Sequence, residues 1–479
     1  MANTLVMSEI EPEIRAEWIP AFESNPDETK DKLYVNVAFP YPSGAMHVGH
    51  GRTYIIPDVV ARFWRMQGKQ VLFPMAFHVT GAPVLGIAKR IANKDEKTLK
   101  LYGELYRVPK DTIANFTDPI TIVNYFADEY ERVMKQLGLS IDWRRRFTTI
   151  IPQYSKFIEW QYTHIYGQGK VQKGEYPVRY CPACDQPVGD HDLLEGESAE
   201  IMHFVFVMYQ FGEYQIPCAT LRPETIFGVT NLWANPETTY VKAEVDGQKW
   251  IISSEAAEKL RMQKHTVVEL STLQGTELID KTAKNPYTGA DVPILPASFV
   301  DPDMGSGLVM SVPAHAPFDY IALRDLQEKG KYTDIKAIPL VTVPNYGTIP
   351  AQDIVEKNKI PNQDDPRMDD LTQELYTAEF SKGKLNDNCG IHAGKSVRQA
   401  REDVTREFTE ERGSIIFHEM SQKRVICRCG GRVYVKILDD QWFLNYGDQA
   451  WKAQVHEQLP KVELVPAEVR AEFERTIDW

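Results

Sequence analysis

Cysteine is scarce, six in 479 residues, which is too few and too unevenly placed for a disulfide-stapled scaffold. Long apolar runs are missing as well. The longest, around Ile201 to Tyr209, includes His203 and has about half the length a membrane span needs. The stretch from Met1 to Trp18 has neither a basic start nor a sustained apolar segment, so no secretory signal is read there. Positive charge is in deficit: 54 Lys plus Arg against 67 Asp plus Glu give −13. That excludes a nonspecific nucleic-acid coat and leaves room for a local basic groove. Repeats and low-complexity tracts are absent. The remainder, 43% hydrophobic and 25% charged, is a globular composition, and at about 150 residues per domain the length suggests about three domains. A cytoplasmic protein with reduced thiols and no membrane partner is expected.

Leu33 to Phe39 is β-prone, and Pro40-Tyr41-Pro42-Ser43-Gly44 breaks it. Met46, Tyr54, Val59, Val60, Phe63 and Trp64 then recur at helical spacing, with Pro57 predicting a kink or break. Val71 to Met75 reads as a second strand. Strand, helix, strand is a βαβ unit, paired in parallel through a right-handed crossover. Ile120 to Leu139 is predicted as an amphipathic helix, with Val123, Phe126, Ala127, Tyr130, Val133, Met134 and Leu137 on its inner side. Ser155 to Gly167 continues helically. Short strand-like runs dominate from Met202 to about Val343, Asn345 to Asp370 reads as polar and irregular, and Lys395 to Arg412 as helix. A β-rich module inserted into an α/β one is more economical than three modules in a row.

His47-Val48-Gly49-His50 follows the Pro-Ser-Gly break. Two histidines at i and i+3 in a first helical turn share one face. The unpaired N–H groups and positive dipole end of that turn favour an anion. Imidazole donors beside them suit charge developing on a transferring phosphoryl group. A bare H-x-G-H is also consistent with capping histidines; its place between strand and helix favours the phosphate site.

Cys181-Pro-Ala-Cys184 has zinc-knuckle spacing, and Cys427-Arg-Cys429-Gly430-Gly431 offers a second, tighter pair. Four thiolates would make a closed structural site, split by an inserted domain. Two thiolates plus His191 or His418, or a redox pair at Cys181, are the alternatives. Cys218 and Cys389 read as buried hydrophobes. Within the insert, Thr220-Leu221-Arg222-Pro223-Glu224-Thr225 and the run Gly305 to Tyr320 gather hydroxyls, an arginine and a carboxylate suited to a small hydrolytic pocket. Taken alone, the first string is also a turn with a salt bridge.

The run F-P-Y-P-S-G-A-M-H-V-G-H-G-R-T-Y (Phe39 to Tyr54) resembles the signature of class I aminoacyl-tRNA synthetases. Supported by Val71 to Pro83, Asp142 to Thr149, Pro177 to Cys184 and Asp439 to Leu444, it resembles the leucyl branch of archaeal and eukaryotic-cytosolic kind. The resemblance runs from about Leu33 to Trp479. It implies an α/β fold: a Rossmann-like class I synthetase catalytic core, incomplete, with an inserted β-rich editing domain and a small zinc module. The implied divisions are 1–174 for the first catalytic half, 175–200 and 416–438 for the zinc module, 201–415 for the editing domain and 439–479 for the return into the catalytic fold.

The resemblance further implies ATP with Mg2+ at Pro42, Gly44, His47, Gly49 and His50, with His47 and His50 catalytic. Leucine would lie near Phe39, Tyr41 and His78, although from chemistry alone His78 reads as a core histidine. Zn2+ would sit at Cys181, Cys184, Cys427 and Cys429. Editing is implied at Thr220, Arg222, Thr225 and Asp319, with Asp319 on the ammonium of a misacylated residue and water attacking the ester. Leu221 departs from the bacterial pattern. One methylene is worth only ~1–3 kcal/mol in an apolar pocket, so near-isosteres of leucine call for a second sieve.

The family's Lys-Met-Ser-Lys-Ser loop has no counterpart here. An amino-terminal part of such an enzyme is therefore expected, poor at activating leucine alone, acting on leucine, ATP and tRNA(Leu), with a carboxy-terminal half on another chain as one alternative. A non-catalytic tRNA-binding subunit using basic spots such as Arg144-Arg145-Arg146, and a trans-editing hydrolase, are the rivals.

Overall fold

The computed structural model describes residues 7–478 apart from 26 and 80; Met1 to Val6, Thr80 and Trp479 of the stretches read above lie outside the described residues. β1 (Lys32–Tyr34), α1 (Val48–Met66) and β2 (Gln70–Leu72) form the expected βαβ unit, with β1 and β2 parallel. The first strand is shorter than Leu33 to Phe39. After Val35, whose N–H reaches Leu72 O at 2.9 Å, the chain leaves the ladder and carries Phe39 to Gly44 over its end.

Pro57 does not break α1, contrary to expectation. Buried Tyr54, Asp58 and Ala61 flank it and hold the helix to the core. Asp58 anchors that face: its carboxylate accepts Ser140 N–H at 2.6 Å and Arg62 Nε–H at 2.8 Å. Of the apolar residues at helical spacing, Tyr54 is buried and Met46 and Trp64 pack against the core, whereas Val59, Val60 and Phe63 are exposed.

β3 (Met75–Phe77) leads to α2 (Gly81–Ala92). α3 (Pro119–Gln136) follows the predicted periodicity, burying Val123, Phe126, Ala127, Tyr130 and Met134, whereas Leu137 lies past its end, exposed. β4 (Arg146–Thr148) pairs in parallel with β3, and α4 (Pro152–Gly167) leads into β5 (Val171–Cys181). The basic triplet is not a free cationic spot. Arg144 and Arg145 pair with Asp142 at 2.8 and 3.4 Å, and Arg146 pairs with Asp128 at 2.6 Å and Glu131 at 3.0 Å.

The insert is built on a ten-stranded sheet with apolar clusters around Val207, Ile216 and Leu232 and around Phe206, Trp250 and Phe417. Its strands β6 (Ile201–Phe211) and β7 (Tyr214–Thr220) form an antiparallel pair. Cys218 and Cys389 are fully buried, as expected. Asn345 to Asp370 is not irregular throughout. Helix Pro350–Lys357 buries Ile354 and Val355 there, with Pro350 preset for its first turn, and α5 (Met368–Lys382) starts within it.

β8 (Ile416–Met420) runs antiparallel beside β6, Met420 opposite Ile201. The chain thus leaves for the insert and returns on neighbouring strands. β9 (Tyr434–Leu444) then pairs along β5 back toward the first module. No helix among the described residues is long and apolar enough to cross a membrane.

His203 and His418 face each other across the β6–β8 junction, their Nδ1 atoms 2.8 Å apart. One must donate and the other accept, so the pair resists double protonation. Burial first, and His203 second, push His418 down to about 4. The unfolded chain therefore takes up the proton first as pH falls. Stability from this site is complete above the ordinary histidine value near 6.5 and is lost on descent toward about 4. We expect urea unfolding to lose about 2 kcal/mol between those limits. His418→Gln should flatten the pH dependence, and His203→Gln should reduce it only in part; an unchanged slope in the His418 variant would exclude this site as its source.

Candidate functional sites

His47 is the N-cap of α1, extended at φ −125°, ψ 173°. Its Nδ1 accepts Gly49 N–H at 3.1 Å, while His47 N–H reaches His50 Nδ1 at 3.2 Å. This is a reciprocal capping box built from two histidines. With both Nδ1 atoms accepting, each neutral ring carries its proton on Nε2. Gly49 permits the arrangement, because a Cβ there would lie 2.9 Å from the His47 ring. His50 sits 5.4 Å from the Tyr130 ring, and desolvation, then His47, lower its pKa. A neutral N–H donor beside a helix N-terminus is therefore the resting state at neutral pH.

Both histidines open onto a cavity of about 860 Å³ lined also by Phe39, Tyr41, Ser43 and Gly44. Pro42 and Gly49 support the loop without lining it. His78 is half-buried rather than a core residue; it meets the cavity through Tyr41, ring edge to face at 5.0 Å. Sequence reasoning missed two further residues that line this cavity, Arg90 of α2 and Arg428 of the second cysteine pair.

The four predicted cysteines converge, their sulfur atoms all within 4.8 Å. Cys181 and Cys429 sulfurs are 3.5 Å apart, and Cys184 and Cys427 sulfurs 3.9 Å. Tetrahedral zinc with ~2.3 Å bonds sets sulfur–sulfur separations at about 3.8 Å, so the donor set fits that ion. Gly431 brings the backbone close, its N–H 3.4 Å from the Cys429 sulfur; a Cβ there would meet Ala183 at 2.8 Å. His418 belongs to the junction described above and not to this cluster.

In the insert, Thr220, Arg222, Thr225 and Asp319 line one cavity of about 480 Å³. Asp319 is buried, its carboxylate accepting Val312 N–H at 2.7 Å and Trp233 Nε1–H at 2.9 Å. Burial pushes its pKa up to about 7, against the pull of those two donors. A cationic ligand would draw it back into ionised form.

Arg222 is engaged by protein groups. Its guanidinium meets Glu379 at 2.6 Å and Glu224 at 3.1 Å and lies over the Tyr376 ring at 4.6 Å. Thr220 Oγ1 accepts the Arg222 N–H at 2.9 Å, and Thr225 Oγ1 donates to Arg222 O at 2.8 Å. Both hydroxyls therefore shape the turn. His315 Nδ1 lies 2.7 Å from Glu379, and its Nε2 accepts Leu340 N–H at 2.7 Å, which fixes the tautomer. The sequence reading missed Trp233, His315, Tyr376 and Glu379.

The family model for tRNA synthetases class I (I, L, M and V) matches residues 17–478. The chain belongs to the class I tRNA synthetase family. Within it, the chain is 47% identical over 98% of its length to a leucine–tRNA ligase of Methanothermobacter thermautotrophicus, and 48% identical over 97% to that of Methanopyrus kandleri. It spans about half the length of these relatives, 51% and 50%. Among solved structures, the editing domain of the P. knowlesi cytosolic leucyl-tRNA synthetase overlaps 46% of this chain and 97% of its own, with TM-score 0.43 and 15% identity.

Proposed function

We propose that the chain supplies the nucleotide-binding part and the editing site of a leucine–tRNA ligase working in the cytoplasm. The observation that carries this is the His47–His50 capping box, which presents two Nε2–H donors and a helix N-terminus to one cavity. Leucine carboxylate attacks the α-phosphate of ATP, pyrophosphate leaves, and the leucyl group passes from the adenylate to the 3′ end of tRNA(Leu), releasing AMP. His47 and His50 stabilise the charge that develops on the phosphoryl oxygens. Phe39 and Tyr41 bound the amino-acid side of the cavity, and His78 positions Tyr41. Magnesium would accompany the nucleotide, and Cys181, Cys184, Cys427 and Cys429 would hold a structural zinc ion that ties the two knuckles together. The module divisions at 175, 201, 416 and 439 follow the same reading.

Isothermal titration with a non-hydrolysable leucyl-adenylate analogue tests the first site. His50→Ala should weaken binding about tenfold, which is one lost donor to a charged oxygen; unchanged affinity would remove His50 from it.

The insert cavity fits a hydrolytic role on mischarged tRNA: Asp319 takes the ammonium of the wrong amino acid, and water attacks the ester. Because Asp319 titrates near 7, deacylation should fall as pH drops below that value, where the carboxyl is neutral. Asp319→Asn should lower the rate about a hundredfold and abolish that pH limb. Retention of the limb would assign it to another group.

A further inference from the structure

Arg90 and Arg428 line the same cavity as His47 and His50, and no carboxylate among the described residues lies within ion-pair distance of either. Arg90 Nε is buried without a hydrogen-bond partner. Of the carboxylates that share the cavity, Asp190 is paired with Arg179 at 2.6 Å, and Asp192 accepts Gly189 N–H at 2.8 Å and keeps its charge. A buried donor left without an acceptor costs free energy that a ligand oxygen in the cavity would recover.

The fold brings them together deliberately. Gly86 and Arg90 stand one turn apart on the same face of α2. The open space at Gly86 admits the second knuckle, so that a Cβ there would already touch Arg428 Cβ and Cys429 N at 3.7 Å. Arg428 N–H bonds to Asp192 O at 2.7 Å, and the flanking Cys427 and Cys429 fix the loop on both sides. Lys89, the next residue on α2, bonds to Ala183 O of the first knuckle.

We propose that Arg90 and Arg428 form a clamp for a phosphodiester of the RNA 3′ end, an inference that rests on the synthetase reading above. The triphosphate of ATP already has the histidines and the helix N-terminus. The arginine pair, where α2 meets the cysteine module, serves the second phosphate-bearing substrate. Guanidinium forks match phosphate oxygens in pairs and do so better than lysine.

The test is fluorescence anisotropy of the whole chain with a labelled single-stranded RNA ending in CCA, with ATP binding measured in parallel by equilibrium dialysis. Arg90→Ala and Arg428→Ala should each weaken RNA binding about five- to tenfold and lower the salt slope by about 0.7, with ATP affinity unchanged. Arg428→Lys should restore part of the loss. Gly86→Leu, which lifts the knuckle while leaving both arginines in place, should reproduce it. Unchanged RNA affinity and slope in the variants overturn the clamp, and an equal loss for ATP reassigns it to the nucleotide and overturns it as well. If the wild-type chain binds the leucyl-adenylate analogue but no RNA, the clamp fails and the synthetase reading stands; if it binds neither, that reading fails with it.

Discussion

Removal of metal by a strong chelator is expected to detach the two knuckles and lower the melting temperature. Cys181, Cys184, Cys427 and Cys429 come from segments far apart in sequence, and their sulfur spacing leaves them as free thiols, not disulfides. Without a cation, thiolates this close repel each other, and thiols lose most of their attraction. At free zinc a thousandfold above Kd, a bound ion contributes about 4 kcal/mol to the folded state. The module is not metal alone, because Val188, Leu193, Met420, Val425, Val433 and Val435 form their own apolar cluster beneath it. Loosening is therefore expected to be local, followed by faster proteolysis near residues 182–200 and 421–433. Differential scanning calorimetry with and without chelator, with metal content read by mass spectrometry, checks this. Cys427→Ala should melt early and lose its response to chelator. A wild-type chain that holds no metal and melts at one temperature in both conditions would remove the ion from the site.

The parts of this molecule that were legible in the sequence are those written locally. The His47–His50 loop could be read because strand, break and paired histidines lie within some twenty consecutive positions, and the capping box is itself a short-range device. The cysteine pairs were legible because thiols are rare here and their spacing has few other uses. Asp319 and Arg222 were found by motif, but what each does locally was not. Arg222 depends on Glu379 of α5, and Glu379 depends on His315, 64 positions away. Such pairings are set by tertiary packing and leave no mark on spacing. One trace did exist: Leu371, Leu375 and Glu379 are buried at i, i+4 and i+8 on α5, so a carboxylate occupies an apolar stripe. That helix was obscured by the polar stretch before it. The helical spacing of α1 did not tell which apolar residues lie inside: Tyr54 and Trp64 pack inward, Val59, Val60 and Phe63 are exposed, and the buried hydrogen bonds of Asp58 lie on the inner side.

Glu379→Ala is expected to be among the most damaging single changes in the insert. The side chain is wholly buried and serves two partners, Arg222 at 2.6 Å and His315 at 2.7 Å. Burial alone would raise the Glu379 pKa; Arg222 and His315 more than offset it and hold the carboxyl below its ordinary value. Within this cluster Arg222 and Arg401 balance Glu224 and Glu379, with Arg401 reaching Glu224 at 3.6 Å. Removing Glu379 leaves a buried cation in excess and strips His315 of its acceptor. Breaking such a pair costs about 3–5 kcal/mol, which corresponds to a fall in Tm on the order of 10 °C. Glu379→Gln retains an acceptor for one partner and should cost less, while Glu379→Met tests whether shape without charge suffices. The second effect is on the cavity: Arg222 lies over Tyr376, and both line it with Asp319. In the glutamine variant, assayed below its lowered Tm, deacylation of mischarged tRNA should fall through kcat as the Arg222 turn loses its fixed position, with KM little changed. A Glu379→Ala chain that melts within 1 °C of wild type, an effect of less than about 0.5 kcal/mol, would mean that Arg222 finds its countercharge elsewhere and that Glu224 alone holds the turn.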